Sequence, residues 1–495
     1  MKFWIGGASQ TANMSVVMAN LIVKEKNYGP HAFIVQLRNS SNHKILPGIM
    51  IGDCGDKYGY QAMDNGWIIF RNAQIPRENL LNKITDVKKD GTVVSQFDSK
   101  SKRFGVQLAA LSGGRIYLAA VVQMAFYGCL AIGVRYAAVR RQFGPPKSPE
   151  ISILQYPDVQ NRLIPLVAKQ VIYQQSSRVL VDMWHANQNF ILDPKHKASN
   201  EMHALSSVIK PLTTWFMLSA SHEVRQICGG LGISVYSAVP RFMFELEVNV
   251  TWEGDNNVLL QQTARFLLKG LAKIAEGKDP AFDSLKFIKI EPIPEELCYK
   301  AIDELKDPRK LLEIMKMRTN LILQKTGPKF QEFIGDFGVY DAWNRLVPFD
   351  LKLLSTSFGQ QWAFEEFIKF VEKCDHQENA KFLHKLSLIF GYTIFKESAA
   401  TMNGLFDSET WSKLDEMLQD LYHSVLPDLV PFFDGLSTPD WLLKSAIGHS
   451  DGNAYDRLIQ AAFTEGKNFG RVDYWRDLLK WREGKSLNLS KQDRD

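Results

Sequence analysis

The strongest candidate for chemistry in this sequence is Glu253, which follows a tryptophan and precedes a helix-capping segment. Asp255 and Asn256 are good N-cap residues directly before an apolar stretch, so residues 251–260 predict a turn that opens into a helix. Burial beside Trp252 disfavours a charged carboxylate whereas a helix N-terminus favours it, an opposition typical of general bases. A solvated carboxylate at a helix N-terminus fits the same residues, so both interpretations stand at this point.

Two further segments could hold a ligand. Residues 226–232 place three glycines after a predicted helix, where bare backbone can approach a planar or phosphate-bearing group. Residues 140–146 place arginine beside phenylalanine at the end of a long helix, a combination that suits phosphate binding. Taken alone, the first segment is equally a helix C-cap and the second a basic helix terminus.

Other catalytic and metal-binding patterns are absent from the sequence. It has no GxSxG, GxxxxGK[ST] or HExxH motif, and no GxGxxG between a strand and a helix. His196, His203 and His222 are not spaced as metal ligands, so we predict no metal. The five cysteines are far apart and form no CxxC pair, which argues against a disulfide framework or a zinc knuckle.

The elements that would position these residues belong to a long globular chain. Its 495 residues predict about three domains, and 45% hydrophobic with 23% charged residues exclude a disordered or collagen-like chain. A net charge of +5 over this length is too small to indicate nucleic acid or a membrane surface. The apolar run 116–134 is shorter than the ~20 residues of a membrane span, so it predicts a buried core helix.

The first part of the chain has a strand-like pattern. Turn signals at residues 28–30 and 64–66 separate short β-like runs, which predict a small β domain over residues 1–95, incomplete at its N-terminal side. The β-like runs are residues 15–18, 32–35 and 67–70.

The rest of the chain has helical periodicity, which predicts a four-helix bundle within residues 104–275. Prolines among charged residues make 276–294 a predicted linker. Residues 295–480 predict a second helical domain, in which aromatic residues at helical spacing from 364 to 370 form helix core. The predicted fold class is therefore α+β, mostly α. The four bundle segments are residues 105–141, 151–186, 202–228 and 256–274.

Taken together, in this order and at these spacings, the motifs resemble those of the acyl-CoA dehydrogenase and oxidase superfamily along nearly the whole chain. The peroxisomal acyl-CoA oxidases match best, and residues 52–57, 140–144 and 156–157 look most like the branched-chain, pristanoyl-type oxidases. The residues that carry the resemblance are 2–7 (KFWIGG), 28–35 (YGPHAFIV), 52–57 (GDCGDK), 75–81 (IPRENLL), 136–144, 226–232, 252–254 (WEG) and 262–265 (QTAR).

The resemblance implies a flavoenzyme of fatty-acid β-oxidation that converts acyl-CoA and oxygen to trans-2-enoyl-CoA and hydrogen peroxide. Glu253 falls on the family's catalytic base, which takes the α-proton of the thioester. Hydrogen bonds to the thioester carbonyl, from the backbone N–H of Glu253 and a flavin hydroxyl, acidify that proton. Arg115 resembles a family arginine near the acyl-CoA site, although a buried structural arginine is an equal interpretation.

The resemblance also implies FAD as the cofactor, a homodimer and a peroxisomal location. It places Trp4 and Gly6 against the flavin ring, and it assigns the other FAD contacts to two segments, one of which acts across the dimer interface. Arg140, Gln142 and Phe143 would contact the pyrophosphate and adenine end from the partner, and Gln226, Gly229 and Gly230 would contact the dinucleotide.

The sequence departs from the family pattern in three places. Family members begin with a helical domain that covers one side of the acyl pocket, and this sequence starts after it, which predicts a fragment or a shortened isoform. Leu231 stands where many relatives have histidine. The chain ends at Asp495 without a Ser-Lys-Leu type signal, so the peroxisomal location rests on the resemblance.

Two alternatives to the oxidase remain open from the sequence. A catalytically weak or silent dimerising subunit would result if the acyl pocket were open to water. An acyl-CoA dehydrogenase, which passes electrons to a flavoprotein, is the second alternative, and the additional helical region 295–480 favours the oxidase over it.

Overall fold

A computed structural model describes residues 1–109, 112–190, 198–290, 301–402, 405–436, 438–465 and 471–482. Strands occupy the first part of the chain and helices the rest, so the prediction of an α+β, mostly α fold is confirmed. The domain boundaries at residues 95, 104, 275 and 295 stay a prediction, and residue 295 lies outside the described ranges.

The N-terminal region forms three small antiparallel sheets. Its strands are β1 (Lys2–Gly6), β2 (Met14–Val23), β3 (Lys26–Gln36), β4 (Ile49–Asp53), β5 (Asn65–Phe70), β6 (Thr85–Val87) and β7 (Val93–Ser95). One sheet has the order β1-β5-β4, β2 pairs with β3, and β6 pairs with β7. The first two sheets share a small core, to which Val35, Ile49 and Ile68 contribute. The predicted β-like runs fall within β2, β3 and β5.

The β2–β3 hairpin turns at a place that the sequence pattern does not mark. The prediction of a turn at residues 28–30 is wrong, because these residues lie inside β3, where Pro30 pairs with Asn20. The chain instead reverses at Lys24 and Glu25, which have φ of 48° and 66°. Two successive residues with left-handed backbone match the twist of a two-residue hairpin turn. These positions are usually occupied by glycine or asparagine. The other turn signal, residues 64–66, overlaps the start of β5.

Four long helices of the next region pack around one apolar core. The helices of this region are α1 (Lys100–Ala109), α2 (Ser112–Val139), α3 (Pro157–Asn187), α4 (Ala198–Ile227), α5 (Val239–Glu247) and α6 (Asn256–Ala275), of which α2, α3, α4 and α6 are the four long ones. In the bundle, α4 packs against α2, α3 and α6. By length and composition α2 is the one described helix that could cross a membrane, and 61% of its most apolar window is buried in the protein. This burial agrees with the predicted core helix.

The C-terminal helices extend the same core. They are α7 (Pro308–Leu346), α8 (Lys352–Val371), α9 (Gln377–Glu397), α10 (Ser408–Gly435), α11 (Asp440–Leu443), α12 (Ala454–Glu465) and α13 (Trp475–Arg482). Phe390 of α9 packs against Tyr173 of α3 and Phe364 of α8, with ring centroids 5.8 and 5.2 Å apart. Phe364 and Phe367 are fully buried as predicted, whereas Phe370 is 38% exposed.

The described part of the predicted linker, residues 276–290, is packed against the helices. It contains a 3-10 helix, Asp283–Lys289, whose apolar residues Leu285, Phe287 and Ile288 are buried in the main core. The charged and proline residues that predicted a linker therefore flank a short apolar segment that is buried in the core. Residues 291–294 of the prediction lie outside the described ranges.

Candidate active site

Glu253 lies on a tight turn directly before α6. Asp255 caps α6, and its carboxylate accepts hydrogen bonds from the backbone N–H groups of Asn257 (2.9 Å) and Val258 (3.3 Å). The turn requires left-handed backbone at Glu253 (φ 55°) and at Gly254 (φ 111°). This conformation is unfavourable for a glutamate, so surrounding contacts must hold it.

Two buried cations hold the carbonyl groups of this turn. Nε of Arg115, on α2, donates to the carbonyl oxygen of Glu253 at 2.7 Å. Nζ of Lys210, on α4, donates to the carbonyl oxygen of Gly254 at 2.7 Å. Arg115 is 8% exposed and Lys210 is fully buried. The turn is thereby attached to two helices of the bundle.

The carboxylate of Glu253 lies over the first turn of α2. A Cβ atom placed at Gly114 would be 2.6 Å from Oε2 of Glu253, so glycine leaves the room that the carboxylate occupies. Glu253 is exposed. Among the described residues, no group hydrogen-bonds to its carboxylate oxygens or to its backbone N–H. Both groups are therefore free to engage a ligand.

Trp252 connects the turn to the β region. Its indole Nε1 donates to Oδ1 of Asn249 at 2.9 Å, and its ring packs against Tyr60 with centroids 5.2 Å apart. The backbone N–H of Tyr60, in the loop between β4 and β5, donates to the carboxylate of Glu245 on α5 at 3.2 Å. Burial, and next the charge of Glu245, raise the pKa of Tyr60, so its phenol stays protonated. These contacts place the β region beside Glu253.

His203 accompanies Arg115 behind the turn. Its Nδ1 lies 3.4 Å from Nη1 of Arg115. Burial first, and then the charge of Arg115, lower the pKa of His203 to about 4, so at neutral pH the imidazole is uncharged and can accept the hydrogen bond. Burial also lowers the pKa of Arg115, while the charge of Glu253 opposes that shift.

Lys210 is a residue of this site that the sequence analysis does not identify. One signal was available, because Lys210 is a single charge between the apolar Ile209 and the helical Pro211, and lysine is seldom buried unless it is paired. Arg115, whose role the sequence left open, contacts the backbone of Glu253 directly.

The segment predicted to bind the pyrophosphate and adenine lies at the C-terminal end of α2. Nη1 of Arg140 donates to the hydroxyl of Tyr455, on α12, at 2.9 Å, and Nη2 donates to Oε1 of Gln142 at 2.5 Å. Phe143 has φ of 57° and is 74% exposed. An ordered guanidinium beside an exposed aromatic ring fits a phosphate with an attached base.

The predicted glycines lie at the C-terminal end of α4. Gly229 (φ 59°) and Gly230 are exposed, and a Cβ atom at either would meet nothing within 4 Å. Gly232 is different, because a Cβ atom there would collide with the carbonyl oxygen of Arg225. Gly229 and Gly230 thus form an open backbone cradle, whereas Gly232 is required for packing.

The arginine and glycine segments lie at the same end of the bundle. Tyr136 of α2 is close enough to both Arg140 and Cys228 for each to affect its pKa, which burial raises. Cys228 directly precedes the glycine cradle. Gln226, from the same segment, accepts a hydrogen bond from Arg162 at 3.4 Å through its side-chain oxygen.

Trp4 and Gly6 lie on β1, away from these contacts. A bulge between Lys2 and Ile5 gives Trp4 a φ of 69°, and its side chain is 62% exposed. No hydrogen bond or ring contact within the described ranges joins Trp4 or Gly6 to the helices. Their assignment to the flavin ring, like the other FAD assignments, stays a prediction.

The histidines and cysteines of the described ranges form no cluster. No group of three or more His, Cys, Asp or Glu residues there could hold a metal ion. The four cysteines within these ranges are free thiols, whereas Cys298 and His196 lie outside them.

The chain is similar to acyl-CoA oxidases over most of its length. Residues 108–268 match the family model described as the acyl-CoA oxidase C-alpha1 domain, and residues 307–482 match the model described as acyl-CoA oxidase. Human peroxisomal acyl-coenzyme A oxidase 3 is 31% identical over 491 residues, which cover 96% of this chain and 70% of that protein. Acyl-coenzyme A oxidase 2 of Arabidopsis thaliana is 33% identical over 481 residues, covering 93% of this chain and 68% of that protein.

Solved structures show the same fold. Acyl-CoA oxidase 1 of Yarrowia lipolytica superimposes with a TM-score of 0.89 at 27% identity, covering 99% of this chain and 73% of that one. Acyl-CoA oxidase-1 of Caenorhabditis elegans, complexed with FAD and ATP, superimposes with a TM-score of 0.85 at 26% identity, covering 98% of this chain and 72% of that one. Human oxidase 1 is 31% identical, as is human oxidase 3, so closeness to the pristanoyl type stays a prediction.

Proposed function

Because the chain belongs to the acyl-CoA oxidase family, we propose that it is an FAD-dependent oxidase that converts acyl-CoA and oxygen to trans-2-enoyl-CoA and hydrogen peroxide. Membership makes it an oxidoreductase. The observation that carries the specific reaction is the Glu253 turn, where a carboxylate and a backbone N–H without partners among the described residues belong to the same residue.

Glu253 provides both groups that the first half of the reaction needs. Its backbone N–H can donate to the thioester carbonyl oxygen, which stabilises the negative charge that develops when the α-proton leaves. Its carboxylate can accept that proton as the general base. Arg115 and Lys210 hold the carbonyls on the C-terminal side of this N–H, so the turn is ordered before the substrate arrives.

The face of α2 beside Glu253 suits an acyl chain. Beyond Gly114, the residues that follow at helical spacing on this face are Tyr117, Val121 and Met124, which are 41%, 61% and 66% exposed. An exposed apolar stripe that begins at the proposed base offers a surface along which a hydrocarbon chain can bury itself.

The residues present fit FAD at the far end of the bundle. The open cradle at Gly229 and Gly230 would contact the dinucleotide, and Arg140 with Gln142 and Phe143 would hold its phosphates and adenine. Bound there, FAD would supply the acceptor for the β-hydride of the substrate and the route of the electrons to oxygen. Its presence in the Caenorhabditis elegans relative supports this cofactor.

The length of α2 supports the proposed homodimer. Arg115 and Arg140 are separated by 25 positions of sequence, which is about 38 Å along a helix at about 1.5 Å per residue. This distance is longer than an extended dinucleotide, so Glu253 and Arg140 of one chain would serve different FAD molecules. A second copy would supply Arg140 to the site of the first.

The peroxisomal location is proposed from the names of the relatives.

The test is the change Glu253→Gln in the FAD-saturated protein. The amide keeps the size of the side chain but removes its basicity, so we expect flavin bleaching by an acyl-CoA without oxygen to slow by at least about 100-fold, with FAD retained. Glu276→Gln is the matched control, because it neutralises an exposed glutamate at the other end of α6.

Three outcomes would contradict the proposal. Equal bleaching by the variant and the parent would remove Glu253 as the base. A parent that binds FAD but never bleaches with acyl-CoA would be a silent subunit. A parent that bleaches but forms no peroxide when oxygen is admitted would be a dehydrogenase.

A further inference from the structure

Lys210 is a fully buried lysine that the proposed chemistry does not consume. Its side chain is 0% exposed. It donates to the carbonyl oxygen of Gly254 at 2.7 Å and to Oδ1 of Asn256 at 2.9 Å, and it makes no salt bridge within the described ranges. Its charge therefore acts on neutral dipoles of the Glu253 turn and of the first residue of α6.

These contacts belong to a closed network between α4 and α6. Nδ2 of Asn256 donates to Oγ1 of Thr214 at 3.0 Å, and that hydroxyl donates back to the carbonyl oxygen of Lys210 at 2.8 Å. Asn256 is 1% exposed and Thr214 is fully buried. Because Asn256 is buried and Gly254 is half-buried, removal of the ammonium would leave two acceptors without a donor.

The ammonium is charged at neutral pH. Burial lowers the pKa of Lys210 to about 8, Asp255 and Glu253 oppose that shift, and Arg115 adds to it. Below that pH Lys210 is a charged donor, and a charged donor makes the stronger hydrogen bond to a carbonyl oxygen.

Building on the proposed function, we propose that Lys210 is a positioning residue of the acyl-CoA site. By holding the carbonyl of Gly254, it keeps the left-handed turn in the one conformation in which the N–H of Glu253 stays free for the thioester carbonyl. Lys210 itself does not touch the substrate in this proposal. Its effect should therefore depend on the carbonyl group of the ligand.

Two unreactive ligands separate this role from a purely structural one. Hexadecenoyl-CoA, the product type, carries the thioester carbonyl, whereas the thioether hexadecyl-CoA lacks it. Both would be titrated into the FAD-loaded parent and the Lys210→Met variant, and the preference for the thioester is the ratio of the two dissociation constants. The infrared stretching frequency of the bound thioester carbonyl reports its hydrogen bonding directly.

We expect Lys210→Met to reduce the thioester preference about tenfold and to shift the carbonyl stretch toward its frequency in free ligand, while thioether affinity stays within about twofold. Thr263→Val is the matched control, because Thr263 also makes a buried α4–α6 hydrogen bond, to the carbonyl of Ala204 at 2.8 Å. It should keep the preference of the parent.

The proposal is overturned if Lys210→Met keeps the thioester preference and the carbonyl stretching frequency of the parent, or if its affinities for the two ligands fall by the same factor. If Lys210→Met does not fold, Thr214→Val replaces it as the test, because it removes the hydroxyl that accepts the hydrogen bond of Asn256. We expect Thr214→Val to lower the preference for the thioester. An unchanged preference would overturn the positioning role of Lys210. A parent that binds neither ligand would overturn the proposed function together with this inference.

Discussion

At the scale of single residues, the candidate site depends on backbone held in an unfavourable conformation. Glu253 has a φ of 55°, and the carbonyls of Glu253 and Gly254 each accept a hydrogen bond from a buried cation. These bonds fix two successive peptide planes, while the Glu253 carboxylate has no hydrogen-bond partner in the part of the chain that the structure describes. A base that must take and release a proton benefits from an orientation set through its backbone, because no hydrogen bond to the carboxylate has to be broken.

Gly114 provides a test of where that carboxylate must lie. In the change Gly114→Ala, the new Cβ atom would be 2.6 Å from Oε2 of Glu253, so the carboxylate would have to move. Because displacements of about 1 Å can cost up to about 100-fold in rate, we expect flavin reduction by acyl-CoA to slow about 10- to 100-fold. FAD affinity should not change. Stopped-flow bleaching without oxygen measures the rate.

The control for this change is Gly335→Ala on α7, where a Cβ atom would meet nothing within 4 Å. It should leave the rate unchanged and, in an exposed helix, stabilise the protein slightly. If Gly114→Ala reduced its flavin as fast as the parent, the carboxylate position over α2 would be irrelevant to the reaction.

At the scale of elements, α2 connects the two functional ends of the bundle. It begins at Ser112, beside the Glu253 turn, and ends at Val139, directly before Arg140. The C-terminal helices reach this second end through α12, whose Tyr455 accepts a hydrogen bond from Arg140. The C-terminal region therefore orients a residue of the proposed cofactor site, although it lies more than 300 positions away in sequence.

The change Tyr455→Phe tests this connection. Without the hydroxyl, Arg140 loses one of its two side-chain partners and becomes less ordered before FAD binds, so we expect FAD to bind about 2- to 10-fold more weakly. The rate of flavin reduction at saturating FAD should not change. Calorimetric titration of the apoprotein with FAD measures the affinity.

Tyr340→Phe is the matched control, since Tyr340 is 80% exposed on α7. The connection would be contradicted if both variants bound FAD as tightly as the parent.

At the scale of the whole molecule, the helices of both regions form one apolar core, and the β region joins it beside the Glu253 turn. Phe390 of α9 packs against Tyr173 of α3, and Tyr60 of the β region packs against Trp252. The Glu253 turn and Arg140 thereby lie near opposite ends of α2, on elements that pack into one core. This arrangement is the reason for proposing that each complete site needs two copies of the chain.

Mixed dimers test that proposal. Glu253→Gln and Arg140→Ala should each have little peroxide-forming activity at low FAD, the first without a base and the second with weak FAD binding. In a dimer with one copy of each, one site combines Glu253 of one copy with Arg140 of the other, so activity should reappear when the two variants are unfolded together and reassociated. The recovered activity is measured as peroxide formation before and after the two variants are reassociated.

As the control, each variant is unfolded and reassociated alone, and no peroxide-forming activity should return. If the mixture also stayed inactive while the reassociated parent recovered, Glu253 and Arg140 would have to serve the same site within one chain.

Local patterns in the sequence predicted most of the elements of the fold. Hydrophobic periodicity predicted the β region, the four long helices and the helical C-terminal region, because burial of one face imposes the period of each element. The capping residues after Glu253 predicted the turn and the start of α6 correctly. The hairpin turn at Lys24 and Glu25 was missed because neither residue has an intrinsic preference for left-handed backbone.

The contacts between residues far apart in the sequence follow from the packing of the helices. Arg115 is 138 positions from Glu253, and Lys210 is 44 positions from Gly254, yet both bond to the same turn. Local patterns carry no information on such pairs, because the contacts depend on which helix faces pack together and in which register. The apolar neighbours of Lys210 in the sequence indicate that it could be buried, but its role follows only from the two acceptors that packing places beside it, the carbonyl of Gly254 and Oδ1 of Asn256.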